Sequence, residues 1–353
     1  MKVKDLRKKL SYNRKNLWKD FADETKDALE FSEGYKKFLD AAKTEREAID
    51  YYKEIIEKRN YTEVNQKSDN KKVYTFSREK NAAFAVIGSK PISEGVNLIV
   101  SHIDSPRIDL KQNPLNENGE TKLGIFKTHY YGGIKKYQWV STPLALHGVF
   151  ITKEGKKIKV SIGEDEKDPV FIIPDILPHL ARKKQYSKKL GEAVDASKLN
   201  IIANSIPYIA EDEEVKEAVK LNALVLLNEK YGIAENDFLS AELEIVPAGK
   251  AGDAGLDRSL LAGYGQDDRV CAYTSAEALF ELDDKNIERT SIVYLADKEE
   301  IGSDGNTGAK SIFIIDFIAD LLKYNNENND SNTLRKTLIN SQILSADVNA
   351  GIN

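Results

Sequence analysis

The segment Thr290–Ser303, TSIVYLADKEEIGS, decides the reading of the chain. Its apolar run Ile292–Ala296 is short, partly β-branched and closed by polar residues, the pattern of a strand buried on both faces. Acids follow at once, in Asp297, Glu299 and Glu300, and Gly302 then turns the chain. A buried strand that ends this way aims carboxylates at whatever lies beyond the sheet edge. If the segment stays extended, Glu299 and Glu300 face opposite ways and are free to do different work.

Three other stretches follow the same grammar: NLIVSHIDSP with His102 and Asp104, GYGQDDRV with Asp267 and Asp268, and SQILSADV with Asp347. Around them helix and strand alternate. FLDAAKTEREAIDYYKEIIEK (38–58), DDRVCAYTSAEALFEL (267–282) and AKSIFIIDFIADLLKY (309–324) have helical periodicity, whereas KVYTFS (72–77) and AAFAVIG (82–88) read as strands. The Asn-rich NNENNDSN (325–332) reads as a solvated loop. This is an α/β chain, and open α/β sheets bind ligands at the carboxyl ends of their strands.

Between Arg107 and Leu243 the character changes. HYYGGIKKYQWV (129–140) is expected to fold as a hairpin about Gly132-Gly133, and GVFITKEGKKIKVSIG (148–163) as another about Glu154-Gly155. EEVKEAVKLNALVLLNEKYG (213–232) reads as a helix with a Gly suited to its C-cap. The expected organisation is one unit built from residues 1–106 and 244–353, interrupted by a mostly-β insertion, 107–243.

At 353 residues the chain is long enough for two such units. A net charge of −5 argues against nucleic acid. No run approaches the ~18 apolar residues of a membrane span, and the Lys/Arg-rich first twenty residues lack the apolar stretch of a secretory signal. The single cysteine, Cys271, forms no internal disulfide and reads as a buried helix residue; together these features fit a reducing, cytoplasmic setting.

Taken singly, the strand-end residues have ordinary explanations. Asp267-Asp268 suits a helix N-terminus, Glu299-Glu300 a solvated turn, and His102 a Pro turn. Together, one imidazole with three or four carboxylates fits a pair of divalent ions such as Zn²⁺, Co²⁺ or Mn²⁺. Two such ions about 3.5–4 Å apart bring the pKa of a shared water toward ~7. A neighbouring Glu not bound to metal is then suited to act as base. The two-residue spacing of His102 and Asp104 lets a carboxylate hold the second ring nitrogen of a metal-bound imidazole.

In SHIDSPRIDLK, GQDDR, DKEEIGSDGNTGAKS and LSADV the chain resembles the aspartyl aminopeptidase and vacuolar aminopeptidase I family of dinuclear zinc exopeptidases, in order and along nearly its whole length. The resemblance implies a three-layer α/β/α peptidase domain with a mixed sheet, interrupted by a dimerisation or lid domain. It implies two zinc ions, with His102, Glu300 and Asp347 as ligands and Asp267 bridging. Glu299 would be the general base, Asp104 would orient His102, and Asp268 would follow Asp267 across a cis peptide. IPDILPHLARK resembles a segment whose histidine, here His179, reaches into a neighbouring subunit's site; His129 and His147 keep structural readings. Short peptides would be the substrates and a dimer-based homo-oligomer, a dodecamer, the assembly.

One departure is plain. The family's last metal ligand is a downstream histidine, and no histidine follows Asp347. One metal would therefore lack a ligand, the C-terminal part of the peptidase domain would be missing, and metal binding would be weak. Besides an aminopeptidase, the pattern allows another dinuclear amide hydrolase such as a deacylase, or a non-catalytic peptide-binding or shell subunit.

Overall fold

The computed structural model describes residues 3–12, 16–210 and 215–351. Its first sheet is mixed and runs, edge to edge, Thr62–Glu63, Lys72–Ser77, Asn81–Val86, Ser291–Ala296, Asn97–His102 and Gln342–Ser345. The last three are mutually parallel neighbours, while Asn81–Val86 pairs antiparallel with Ser291–Ala296. Alternate residues of these strands feed opposite faces. Phe84, Val86, Val293 and Leu295 join Phe38, Ile49, Tyr52, Ala276 and Phe280 of three helices, Thr25–Ala41, Glu45–Lys58 and Gln266–Phe280. Ala83, Ala85, Ile292 and Tyr294 join Phe317, Ile318, Leu321 and Leu322 of helix Phe313–Tyr324. Helices thus cover both faces, which is why Ile292–Ala296 is a continuous apolar run and not an alternating one. Full burial of each such Phe, Leu or Ile side chain contributes about 1.5–3 kcal/mol.

Local chemistry fixes the element ends. Helix Glu45–Lys58 starts at a capping box in which the Glu47 N–H donates to Thr44 Oγ1 and the Thr44 N–H to Glu47 Oε2. Helix Ala218–Tyr231 stops at Gly232, whose φ of +69° suits a residue without a side chain. The expected start of that helix at Glu213-Glu214 lies outside the described residues. The loop 325–332 is shorter than expected: Asp330 caps a helix, Ser331–Asn340, by accepting from the Thr333 N–H at 2.7 Å.

The second sheet is entirely antiparallel, in the order Lys157–Ile162, Leu144–Ile151, Glu242–Pro247, Arg107–Glu117, Gly124–Tyr131 and Ile201–Asn204. Ile108, Phe126, Leu146, Phe150, Ile201 and Phe238 form its core. The hairpin about Glu154-Gly155 is present. The hairpin expected at Gly132-Gly133 is not, because Gly124–Tyr131 pairs with Arg107–Glu117 and with Ile201–Asn204, and the chain after Gly132 leaves the sheet. Register slips between Leu110 and Leu115, around Pro114, which has no N–H to donate. Glu242–Pro247 carries this sheet past residue 243.

Buried charge joins the two sheets. His147 of Leu144–Ile151 is 2% exposed; its Nδ1 faces Glu47 Oε1 at 2.8 Å and its Nε2 faces Glu164 Oε1 at 3.1 Å. Burial alone would depress the imidazole, but Glu164 and Glu47 push it up to about 9. His129 is exposed, and Cys271 is half-buried instead of buried. Among the described residues no helix is long and apolar enough to cross a membrane.

Candidate metal centre

The three parallel strands end at one edge of the first sheet, and helix Gln266–Phe280 begins there. That shared edge brings together side chains from four distant parts of the sequence. Nδ1 of His102 lies 3.0 Å from the Asp104 carbonyl oxygen and 3.2 Å from Asp104 Oδ1. Two acceptors at Nδ1 hold a proton on that nitrogen, so Nε2 is the ring atom left to face the neighbouring acids. Nε2 is buried and makes no hydrogen bond. It faces Asp267 Oδ1 at 3.2 Å, Glu299 Oε2 at 3.8 Å and Asp347 Oδ1 at 4.0 Å.

One ligand atom each from His102, Asp267 and Asp347 lies within 4.8 Å of the other two. An imidazole nitrogen with two carboxylates suits zinc, and a buried, unpartnered Nε2 is what a metal-binding imidazole presents. Glu300 stands outside this trio among the described residues, half-buried with a carboxylate that feels Asp267. Burial, together with Asp267, Asp104 and Glu299, pushes Glu300 up to about 7. Burial likewise pushes Asp268 up to about 6, and both of its carboxylate oxygens are buried without a hydrogen-bond partner. So much like charge in one place is short of cations. On His102 the order of effects differs: burial lowers it, yet Asp104, Asp268 and Glu299 push it up to about 9.

Asp104 organises the centre. It is fully buried and all its acceptor capacity is used. Oδ1 takes the Glu299 N–H at 3.1 Å and faces His102 Nδ1; Oδ2 takes the Tyr131 hydroxyl at 2.8 Å and the Glu300 N–H at 3.2 Å. The segment after the central strand is not extended: Glu299–Ile301 forms a 3₁₀ turn entered through Lys298 at φ +64°. Glu299 and Glu300 therefore diverge by about 120° around a three-residue turn, not by strand alternation. Glu299 is exposed and Glu300 half-buried.

The Asp267–Asp268 peptide is cis. The Asp267 carbonyl accepts from Ser105 Oγ at 2.6 Å. Asp297 lies outside this trio and accepts from Thr307 Oγ1 at 2.7 Å and from the Lys298 N–H at 2.8 Å. His179 sits exposed on helix Pro178–Lys184 and enters none of these contacts. The Cys271 thiol, pushed up to about 12 by burial and Asp268, stays protonated. Beside the centre is a cavity of about 440 Å³ whose walls include Ser105, Lys135, Trp139, Tyr264 and Asp267.

Nothing local in the sequence marks Tyr131 or Ser105, and Gly132 is marked only as a turn residue. Tyr131 was hidden within HYYGG, where Gly132-Gly133 looked like a hairpin turn. Gly132 is needed for a different reason: its φ is +71°, and a Cβ there would come within 3.0 Å of Glu300 Oε2.

The family model for aminopeptidase I zinc metalloproteases (M18) matches residues 38–353. A probable M18 family aminopeptidase 1 from Borrelia garinii subsp. bavariensis is 46% identical over 345 residues, 96% of this chain and 74% of its own. The crystal structure of an M18 aminopeptidase from Thermotoga maritima superposes with a TM-score of 0.89 at 42% identity, covering 97% of this chain and 74% of that one. A Saccharomyces cerevisiae mApe1 dodecamer has the same fold, with a TM-score of 0.70 at 22% identity over 91% of this chain and 72% of its own. The chain spans about three quarters of the length of these relatives.

Proposed function

The chain belongs to the aminopeptidase I zinc metalloprotease (M18) family, and from that premise we propose how this metal-dependent aminopeptidase works. Zinc is the family's metal. The reading is a dinuclear centre in which His102, Asp267, Glu300 and Asp347 are ligands, Asp267 being shared. Its main support is the convergence of His102, Asp267 and Asp347 on a buried, unpartnered Nε2. When bound, the ions supply positive charge that acidifies water and offsets negative charge growing on the peptide carbonyl oxygen. Glu299, exposed and close to the ligands, takes a proton from the attacking water and returns it to the departing amine. Asp104 keeps the His102 proton on Nδ1 and holds the backbone of Glu299 and Glu300.

The substrates are short peptides, cleaved after their first residue in the cytoplasm. The antiparallel sheet and its connections, from Arg107 onward, are read as the inserted lid and dimerisation domain of a three-layer peptidase. A dimer-based homo-oligomer, dodecameric like the distant yeast relative, would bring His179 to a neighbouring site; the exposure of His179 is consistent with that.

The test is paired substitution in the protein, with metal content and aminoacyl-nitroanilide hydrolysis measured with Zn²⁺ or Co²⁺. Glu299→Gln should keep both metals and lose about 10²–10⁴-fold in kcat, whereas Glu300→Gln should lose metal. Equal metal loss in the two variants would undo the division of roles. A protein that binds two metals yet releases no N-terminal residue would undo the reaction.

A further inference from the structure

Arg107 and Tyr131 are directly opposite one another on neighbouring strands of the second sheet. The pairing sets the Arg107 guanidinium 4.0 Å from the centroid of the Tyr131 ring. Arg107 is 5% exposed and clamped on every side: Nε bonds Asp109 Oδ1 at 2.8 Å, Nη1 bonds Glu45 Oε2 at 3.1 Å, and Nη2 lies 3.3 Å from Glu244 Oε1. Glu45 opens a helix packed on the first sheet, and Lys80, in a turn of that sheet, ties Glu45 at 2.8 Å to Glu242 at 3.1 Å. Glu242 and Glu244 belong to the second sheet. The guanidinium is therefore fixed by both sheets at once, and a planar cation held this way fixes the ring it stacks on.

The far end of that ring reaches the metal centre. Tyr131 Oη donates to Asp104 Oδ2, the same oxygen that accepts the Glu300 N–H, while the other oxygen serves Glu299 and His102. A fully buried carboxylate with four donors tolerates little displacement, because losing one leaves the remaining bonds to reorient it.

We propose that Tyr131 is a positioning residue for the metal centre, acting through Asp104, and that Arg107 makes this positioning depend on the seating of the second sheet against the first. Neither residue is among the ligands proposed above. What they set is the orientation of the His102 ring and of the Glu299–Glu300 turn. The inference rests on His102 and Glu300 being zinc ligands.

Tyr131→Phe isolates the effect, since it keeps the ring under Arg107 and removes only the hydroxyl. Zinc affinity is measured by competition with a chromophoric chelator, kcat and KM on an aminoacyl-nitroanilide, and folding by circular dichroism; Tyr130→Phe, at an exposed neighbour, is the control. Losing a direct partner of a ligating group weakens metal binding about 10–100-fold, and Tyr131 acts one residue further out, through Asp104. The expected result is a zinc Kd raised about tenfold and a lowered kcat, with KM within about threefold and the control unchanged. A zinc Kd within about threefold of the parent overturns the proposal, even if the melting temperature falls, because a purely structural tyrosine would do that. If Tyr131→Phe does not fold, Arg107→Lys decides by the same threshold, since it keeps the charge facing Glu45 and Glu244 but loses the planar stack. A parent protein that binds no zinc sinks the reading of the site and this inference with it. A parent that binds zinc beside an unaltered Tyr131→Phe sinks only the inference.

Discussion

Replacing Asp104 by Asn keeps the shape of the side chain and removes half of its acceptors. The carboxylate accepts on both oxygens, the Glu299 N–H and His102 Nδ1 on one, the Tyr131 hydroxyl and Glu300 N–H on the other. An amide has one oxygen, and its NH₂ group points a donor at whichever pair it faces. Facing Glu299 and His102, it would strand the Glu299 N–H and set a donor against His102 Nδ1, which keeps only the Asp104 carbonyl oxygen. Facing Tyr131 is cheaper, because the hydroxyl can turn and accept, and only the Glu300 N–H is then stranded. One buried donor without a partner costs about 1–3 kcal/mol, and replacing a charged acceptor by a neutral one weakens the surviving bonds further. The expected loss is about 2–4 kcal/mol, a sizeable part of the ~5–15 kcal/mol typical of a folded protein. Freeing the Glu300 backbone should also raise the zinc Kd about 10–100-fold. Urea unfolding of chelator-treated protein gives the first quantity and chelator competition the second. A stability loss below about 1 kcal/mol together with a zinc Kd within twofold of the parent would refute the account of Asp104 as the organising acceptor.

Two further expectations follow from other contacts. Gly132→Ala meets a positive φ and a Cβ position 3.0 Å from Glu300 Oε2; it should cost about 1–2 kcal/mol and weaken zinc binding, and an unchanged zinc Kd would count against that contact. His147 is raised to about 9 between Glu47 and Glu164, with Lys43 Nζ 3.9 Å from Glu164. Because its folded value lies above its unfolded ~6.5, the charged ring contributes stability that is complete below about pH 6.5 and fades as pH rises through about 9. The contribution is about 3 kcal/mol. Thermal unfolding of the parent and His147→Gln should converge between pH 6 and pH 9.5, and parallel curves would remove the argument.

The parts of this architecture legible in sequence are those whose signal is local. Ile292–Ala296 announced a buried strand by its own composition, and the acids after it marked the sheet edge where His102, Asp267 and Asp347 meet. What was not legible depended on partners far along the chain. Tyr131 owes its role to a cross-strand register with Arg107, and no local feature of HYYGG encodes that register. His147 looks like any strand histidine until Glu47, a hundred residues earlier, is placed against it. Glu299 and Glu300 were expected to diverge by strand alternation, but Lys298 enters the left-handed region and a 3₁₀ turn separates them instead. Helix Ser331–Asn340 is faint in the sequence because its Ser, Asn and Thr residues are weak helix formers, and Asp330, three residues before Thr333, is its one local sign.

The parallel alignment of Asn97–His102, Ser291–Ala296 and Gln342–Ser345 also sets an order in time. His102 emerges from the ribosome well before Asp267, Glu300 and Asp347. At ~5–20 residues per second, tens of seconds separate the first member of the centre from the last. Through that interval His102 stands without the acids that meet it in the fold, while His129, His147 and His179 emerge as well. The trio of His102, Asp267 and Asp347 can therefore form only once Gln342–Ser345 has joined the sheet.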